Sequence, residues 1–368
     1  MGGVKMSFTF SQSLAVKLSA IVAGGAAALL FAGNASAAPC LVPASYTTIQ
    51  DAINDATCAV INVSAGAYNE NLSITRSLVL NGANVGVNPN SSSRGSESTI
   101  TGDPAVTIKG PNVFVDGFTI SDPSGSASIG VDVKSTASGA VIRNNIFTNI
   151  VGSSTAQALY LEEGPDGVVV TQNLIEDVSS PSSAKGVFLG DTASADPSIA
   201  VMINDNVITN IQSTNKGAYG VAVDTGNGHV PNAYMVIEDN TINNLTGGGW
   251  VHAIGLEADT PEAIVSGNSI RNLNGPGSDT VGVWLESENV SFATVAVNNN
   301  SFNFTKASKV FGVAVDPALS GGTVDGKCNY WGSVTGPSGA GHGLGAAVSP
   351  MVAFVPWQLS PVLSAFCQ

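Results

Sequence analysis

One pattern restricts the fold of this chain more than any other. An apolar residue is followed by Asn three positions on, by Ile or Phe two further, and usually by an aliphatic residue three beyond that. It occurs as Ile142-Asn145-Phe147-Ile150, Val170-Asn173-Ile175-Val178, Ile203-Asn206-Ile208-Ile211, Ile237-Asn240-Ile242-Leu245 and Val265-Asn268-Ile270-Leu273. Val297-Asn300-Phe302 follows with Thr305 at the last position, and Val115-Phe118-Ile120 is an imperfect earlier copy. Successive asparagines are 28, 33, 34, 28 and 32 residues apart. A fixed period of about 30 residues marks a repeat architecture.

A second motif fills the gaps: GVDVK (130–134), ALYLE (158–162), GVFLG (186–190), GVAVD (220–224), AIGLE (253–257), GVWLE (282–286) and GVAVD (312–316). Its second and fourth residues are always Val, Ile or Leu, the alternation of a strand with one buried face. Short strands of this kind cannot bury that face singly, but stacked coils share a continuous core. The period is too short for a propeller blade, and Leu does not dominate as in leucine-rich repeats. The fold expected is all-β, a parallel β-helix (a solenoid). At a constant corner of each coil, a buried Asn amide bonds to its equivalents above and below and satisfies backbone groups of the turn. Turn preference alone explains one or two such residues, not six in register.

Composition agrees and excludes other classes. The 368 residues include 42 Gly, and only 11 % are charged. Helix formers are scarce beside Gly, Asn, Ser, Val and Ile. A hydrophobic fraction of 43 % and a mean hydropathy of +0.24 do not suit disorder. A net charge of −14 repels phosphate backbones, so no nucleic-acid partner is expected.

The N-terminus carries export features. Lys5 and Lys17 precede and enter an apolar stretch, Leu18 to Phe31, and Ala35-Ser36-Ala37 supplies a small-x-small cleavage pattern. The stretch is short for a span of about 20 residues, and no later run is long enough to be a transmembrane span. The expected organisation is a signal peptide (1–37), an N-terminal cap with the first coils (38–110), β-helix repeats (111–320) and a closing segment (321–368). The product is expected to be secreted or held at the cell surface by another route, as a monomer. Four cysteines allow three pairings. The ends of an elongated fold are far apart, which favours Cys40–Cys58 and Cys328–Cys367, each stapling one end. Metal binding by these cysteines has no Cys-x-x-Cys and no nearby His to support it.

These repeats resemble the right-handed parallel β-helix class shared by pectate lyases, polygalacturonases and pectin methylesterases. Tyr46 to Gly82 resembles the N-terminal cap of many such proteins: a short amphipathic helix, a strand, then Gly66-Ala67-Tyr68-Asn69-Glu70. The stretch CNYWGSVTGPSG from Cys328, with the later VSPMVAFVPW, resembles the closing segment of many secreted β-helix repeat proteins. The resemblance implies the fold over nearly all of the chain after residue 37, and the class hosts many chemistries.

Catalytic signatures of the class do not carry over as sets. Gly66 to Glu70 and Gln157-Ala158-Leu159-Tyr160-Leu161 resemble two pectin methylesterase signatures, but the Asp-containing and Arg-Pro-Trp signatures are missing. Gly341-His342-Gly343 matches a polygalacturonase string without the paired-Asp motifs that should precede it. Lyase chemistry calls for an Arg or Lys base beside calcium. Lys185, just before one strand, is a lone candidate.

The alternation also defines an outer surface. Positions 3 and 5 of the second motif point outward. Position 5 reads Lys134, Glu162, Gly190, Asp224, Glu257, Glu286, Asp316, and position 3 reads Asp132, Tyr160, Phe188, Ala222, Gly255, Trp284, Ala314. With equivalent residues about 4.8 Å apart on stacked coils, Asp224, Glu257, Glu286 and Asp316 make a row of carboxylates. Ala222 and Gly255 then floor a shallow trough between Phe188 and Trp284. Aromatic faces stack on pyranose rings, and carboxylates accept hydroxyl hydrogen bonds. Such a row also raises pKa values or recruits a cation such as calcium, although no cofactor is required. Solvated acids that keep an exported protein soluble are the plainer explanation. His252, near Trp250, is a hydrogen-bonded corner histidine or a proton shuttle. The leading expectation is a polysaccharide-binding protein for a cell-surface or other glycan, contacting it through Tyr160, Phe188, Trp284 and Asp316 without turnover. A structural or adhesive surface rod comes second. Third is a polysaccharide-active enzyme, a glycoside hydrolase before a lyase or esterase, with catalytic residues among Asp224, Glu257 and Glu286.

Overall fold

The computed structural model describes residues 39–162, 165–190, 200–224, 234–257, 262–276, 280–286, 295–304, 310–317, 322–362 and 367. The signal segment expected at 1–37 and Thr305 lie outside them. The chain is an all-β, right-handed parallel β-helix, with one short helix, near its start, among the described residues. Each coil supplies short strands to three parallel stacks. The first stack has 12 strands, from Cys40–Val42 to Val352–Ala353. The second runs from Gly66–Asn69 to Ser301–Asn303. The third runs from Leu72–Ile74 to Gly345–Val348. Among the described residues no helix is long and apolar enough to cross a membrane.

The Asn repeat sits where the first stack turns into the second. The residue before each ladder Asn lies in the left-handed region: Asn144 (φ 53°), Gln172 (55°), Asp205 (57°), Asp239 (55°), Gly267 (69°) and Asn299 (58°). Gly, Asn and Asp tolerate this region best. The turn it makes points the following Asn into the coil. Asn206 shows the bonding pattern. Its Nδ2 donates to the Val170 carbonyl at 2.9 Å and to Asn240 Oδ1 at 3.0 Å. Its Oδ1 accepts both the amide and the Nδ2 of Asn173 at 3.0 Å. The ladder therefore does what the sequence predicts, satisfying backbone groups of one coil with side chains of the next.

The ladder also extends further than the motif shows. Asn329 is a seventh rung, accepting the Asn300 amide at 2.8 Å. Gly326 stands at its apolar position and Trp331 at its Ile/Phe position, which hid the repeat within the closing segment. At the other end, Phe118 replaces Asn, and its amide donates to Asn145 Oδ1 at 3.0 Å.

A second left-handed row explains the rest of the spacing. Asn149, Asp177, Asn210, Asn244 and Asn272, each four residues after a ladder Asn, have φ of 53–56°. Each resets the alternation, so residues two and five beyond the ladder Asn both face inward. Phe147 and Ile150, Ile175 and Val178, and Ile208 and Ile211 are accordingly all fully buried.

Both ends are closed by specific contacts. The helix Ile49–Asn54 packs Ile49, Ala52 and Ile53 over the first coil. Glu70 accepts the amides of Ile49 and Gln50 at 3.0 Å each, and Arg76 donates to the carbonyls of Ile53, Asp55 and Cys58. Glu70, the last residue of the esterase-like string, thus ties down the helix start. At the other end Trp331 is fully buried and stacks on Phe302 with centroids 5.3 Å apart. Cys40 pairs with Cys58 and Cys328 with Cys367, with Cα separations of 5.6 and 5.1 Å. This is the pairing the fold favours, because each bridge stays within one end of the stack.

Candidate functional site

The expected register holds across the third stack. Tyr160, Phe188, Ala222, Gly255, Trp284 and Ala314 are successive partners on neighbouring strands. Glu162, Gly190, Asp224 and Glu257 are likewise aligned. The amides of Glu286 and Asp316 donate to the Leu256 and Leu285 carbonyls at 2.9 Å, continuing the row. The four carboxylate-bearing positions therefore do fall on adjacent coils. The inward residues Val187, Leu189, Val221, Val223, Ile254 and Leu256 are buried as the alternation requires.

A third outward row appears that the alternation hid. Strict alternation turns position 1 of the motif outward, but the structure bends there. Lys185 pairs with Tyr219, and the pairing resumes only at Val187 with Val221. A Cβ on Gly186 would lie 2.5 Å from the Gly220 carbonyl and 2.8 Å from Ile208 Cγ2, so position 1 faces the core. The residue before it is turned out with positions 3 and 5, giving Lys185, Tyr219, His252, Val281 and Phe311. The available signal was the small residue at position 1 of every copy: Gly130, Ala158, Gly186, Gly220, Ala253, Gly282 and Gly312.

That row corrects the expected trough. Ala222 and Gly255 do not floor an open channel between Phe188 and Trp284, because larger side chains lie over them. Ala222 is fully buried and Tyr219 is 4 % exposed. A Cβ on Gly255 would sit 3.2 Å from the Tyr219 ring and 3.3 Å from Glu257 Oε1. His252 is not a corner residue. It lies within the strand Trp250–Glu257, its ring stacked on Trp284 (5.4 Å, 25°) and edge-on to Tyr219 (5.4 Å, 81°). On the far side, Phe188 stacks with Tyr160 (5.2 Å, 12°) and carries Lys185 Nζ 3.4 Å from its centroid.

The open space lies further along the stack. A cavity of about 690 Å³ is lined by Tyr219, Trp250, His252 and Trp284 together with Phe311, Ala314, Pro317 and Pro350. Glu257 and Glu286 are its acids. Of the residues singled out from the sequence, Glu257, Glu286, Trp284, Ala314, His252 and Trp250 meet here. Tyr160, Phe188, Asp224 and Asp316 do not line it. Tyr219 and Phe311 are lining residues that lie outside the two-position reading of the motif.

The two glutamates have unlike surroundings. Glu257 folds back over Gly255, where Oε1 lies 2.9 Å from His252 Nδ1 and Oε2 accepts from the Tyr219 hydroxyl at 3.2 Å. That hydroxyl in turn accepts from Trp250 Nε1. Burial, then Glu257, raises the Tyr219 pKa, so the phenol stays a donor. Among the described residues Glu286 has a partner of another kind, Trp284 Nε1 at 3.2 Å. Burial lifts the Glu286 pKa, the Trp284 bond opposes this, and the charges of Glu257 and Asp316 add to the rise. Burial pushes Lys185 below its ordinary pKa against the pull of Asp224 and Glu257.

Other candidates are accounted for by packing. His342 is exposed, and the glycines beside it fit close backbone approaches: a Cβ on Gly341 or Gly343 would lie 2.4 or 2.2 Å from a carbonyl oxygen. A second concavity of about 600 Å³ on the second stack is lined by Asn149, Asp177, Asn210 and Asn244 with Ser179, Gln212 and Thr246. Two of its asparagines bond along the stack, Asn210 to Asp177 and Asn244 to Asn210. Among the described residues no group of three or more His, Cys, Asp or Glu is placed to hold a metal ion.

No protein-family model matches the chain, and no curated protein matches it. Two solved structures are similar in backbone. The Dettilon tailspike protein aligns with a TM-score of 0.41 and 14 % identity, over 80 % of this chain and 62 % of the tailspike. Pectin methylesterase from carrot aligns with a TM-score of 0.37 and 10 % identity, over 88 % of this chain and 90 % of that one. The chain thus spans less than two thirds of the tailspike chain.

Proposed function

We propose that this chain is an exported protein that binds a polysaccharide in the cavity beside Trp284. The observation that carries the reading is the combination of an aromatic wall, Trp250, His252 and Trp284, with two carboxylates, Glu257 and Glu286, around one cavity. Rings of this kind stack on the apolar faces of sugars, and carboxylates accept from sugar hydroxyls. The carboxylates repel uronate polymers, so the ligand is neutral or carries amino sugars. Two disulfides and the N-terminal signal pattern support export to a compartment outside the cytosol.

A glycan array probed with the chain, with and without calcium, tests this. Binding to one or more neutral or amino-sugar polymers is expected. Trp284→Ala weakens it by about tenfold or more, the loss of one stacking contact plus its buried area. Binding unaffected by Trp284→Ala overturns the proposed site.

A further inference from the structure

The cavity holds two carboxylates at matched register with different hydrogen-bond partners. Leu256 pairs with Leu285, and the Glu286 amide donates to the Leu256 carbonyl at 2.9 Å. Glu257 and Glu286 therefore leave adjacent strands side by side, with backbones about 4.8 Å apart. Glu257 has both oxygens engaged by His252 and Tyr219, and is a fixed acceptor. Glu286 lies against the indole edge of Trp284. Paired carboxyls in environments that differ this way divide the roles of nucleophile and acid. Spacing selects the reaction class. Retaining glycosidases hold their carboxyl pair about 5–5.5 Å apart, whereas inverting ones leave about 6.5–9.5 Å for a water. Side chains that leave neighbouring strands at matched register, with backbones about 4.8 Å apart, can bring their carboxyls to the first of these separations.

We infer that Glu257 and Glu286 are the nucleophile and the acid–base residue of a retaining glycoside hydrolase acting on a neutral or amino-sugar polysaccharide. This rests on the polysaccharide-binding reading of the same cavity. In the first step a Glu257 oxygen bonds to the anomeric carbon as the glycosidic C–O bond breaks. The leaving oxygen keeps that electron pair and takes the carboxyl proton of Glu286. In the second step water attacks the anomeric carbon, gives a proton to Glu286 and releases the Glu257 carboxylate. One water is consumed, and one hemiacetal and one alcohol are formed. The raised pKa of Glu286 keeps more of it in the proton-donating form. His252 and Tyr219 are positioning residues, which aim Glu257 through hydrogen bonds.

The test incubates the full chain with xylan, mixed-linkage β-glucan, an α-glucan, chitosan and polygalacturonate. Reducing ends are counted, and product configuration is read by proton NMR. Release with retained configuration from one of the first four polymers is expected. Glu286→Gln lowers turnover by about 100-fold or more while the polymer still binds. Glu257→Ala lowers it at least as far, and added azide restores cleavage with an inverted glycosyl azide as product. Polymer that binds without release of reducing ends overturns the hydrolase and leaves the binding reading standing. Inverted hydrolysis products, or full turnover in Glu257→Ala, overturn the assignment of the nucleophile. No binding to any polymer overturns both readings.

Discussion

His252 Nδ1 lies 2.9 Å from Glu257 Oε1, five positions along one strand, and the contact is made across Gly255. The missing side chain at Gly255 lets the carboxylate fold back over the sheet, where Tyr219 of the preceding coil also reaches it. One side chain thus joins two coils and two rows of the surface.

Because His252 and Tyr219 donate to one carboxylate, their contributions are coupled. A hydrogen bond to a charged group contributes about 1.5–3 kcal/mol. His252→Phe keeps a ring over Trp284 and removes Nδ1, and Tyr219→Phe removes the hydroxyl. Each is expected to lower the unfolding free energy by about 2 kcal/mol. The double variant loses less than the sum, by about 0.5–1 kcal/mol, because Glu257 freed from one donor can turn to solvent. Urea denaturation of the three variants measures this, and strict additivity would show that the two donors do not share the carboxylate.

The Asn ladder makes a prediction in which polarity matters more than size. Asn206 Nδ2 faces the Val170 carbonyl and Asn240 Oδ1, both acceptors. Asn206→Asp sets a carboxylate oxygen against them and should cost about 3–5 kcal/mol at neutral pH. The folded-state pKa of that Asp is raised, so stability recovers as pH falls and a donor is restored. Thermal unfolding at pH 4 and at pH 7, each compared with wild type, gives the sign. An equal deficit at both pH values contradicts the ladder as drawn.

Asp122 gives the native chain a pH dependence of its own. It is 1 % exposed, accepts the Ile129 amide at 2.9 Å, and shares a hydrogen bond with Asp103. Burial first, and the Asp103 charge second, push its pKa up to about 6. An unfolded Asp titrates near about 3.9. The folded chain holds the proton more tightly, so this contribution is fully present below about pH 4 and is lost as pH rises through about 6. Asp122→Asn keeps an acceptor for Ile129 and should flatten the melting temperature across that window. A slope unchanged from wild type assigns the dependence to another group.

Trp331 separates volume from polarity in the closing core. It is fully buried against Phe302, and its Nε1 has no hydrogen-bond partner among the described residues. Trp331→Ala should cost about 3–5 kcal/mol through the cavity it leaves. Trp331→Phe keeps the stack and removes the unpaired donor, so its cost should stay below about 1.5 kcal/mol. Chemical denaturation ranks the two, and similar losses would show that the indole nitrogen is not a liability.

The sequence by itself determined the coil. Asn145, Asn173, Asn206, Asn240, Asn268 and Asn300 repeat in register, and Val221, Val223 and their equivalents alternate. Stacking energy is dominated by contacts between neighbouring repeats, so a one-dimensional pattern is enough to specify the register. The same logic placed Glu257, Glu286 and Trp284 on one surface and kept each disulfide at one end. Tertiary structure alone decided which part of that surface is open. The bend at position 1 turns Lys185, Tyr219 and His252 outward, and they fill the span over Ala222 and Gly255. Among the described residues, the cavity on this surface lies where Trp250, His252 and Trp284 meet Phe311, Pro317 and Pro350. Side-chain direction at a bend depends on what the adjacent coil and the closing segment present, which strand alternation does not encode.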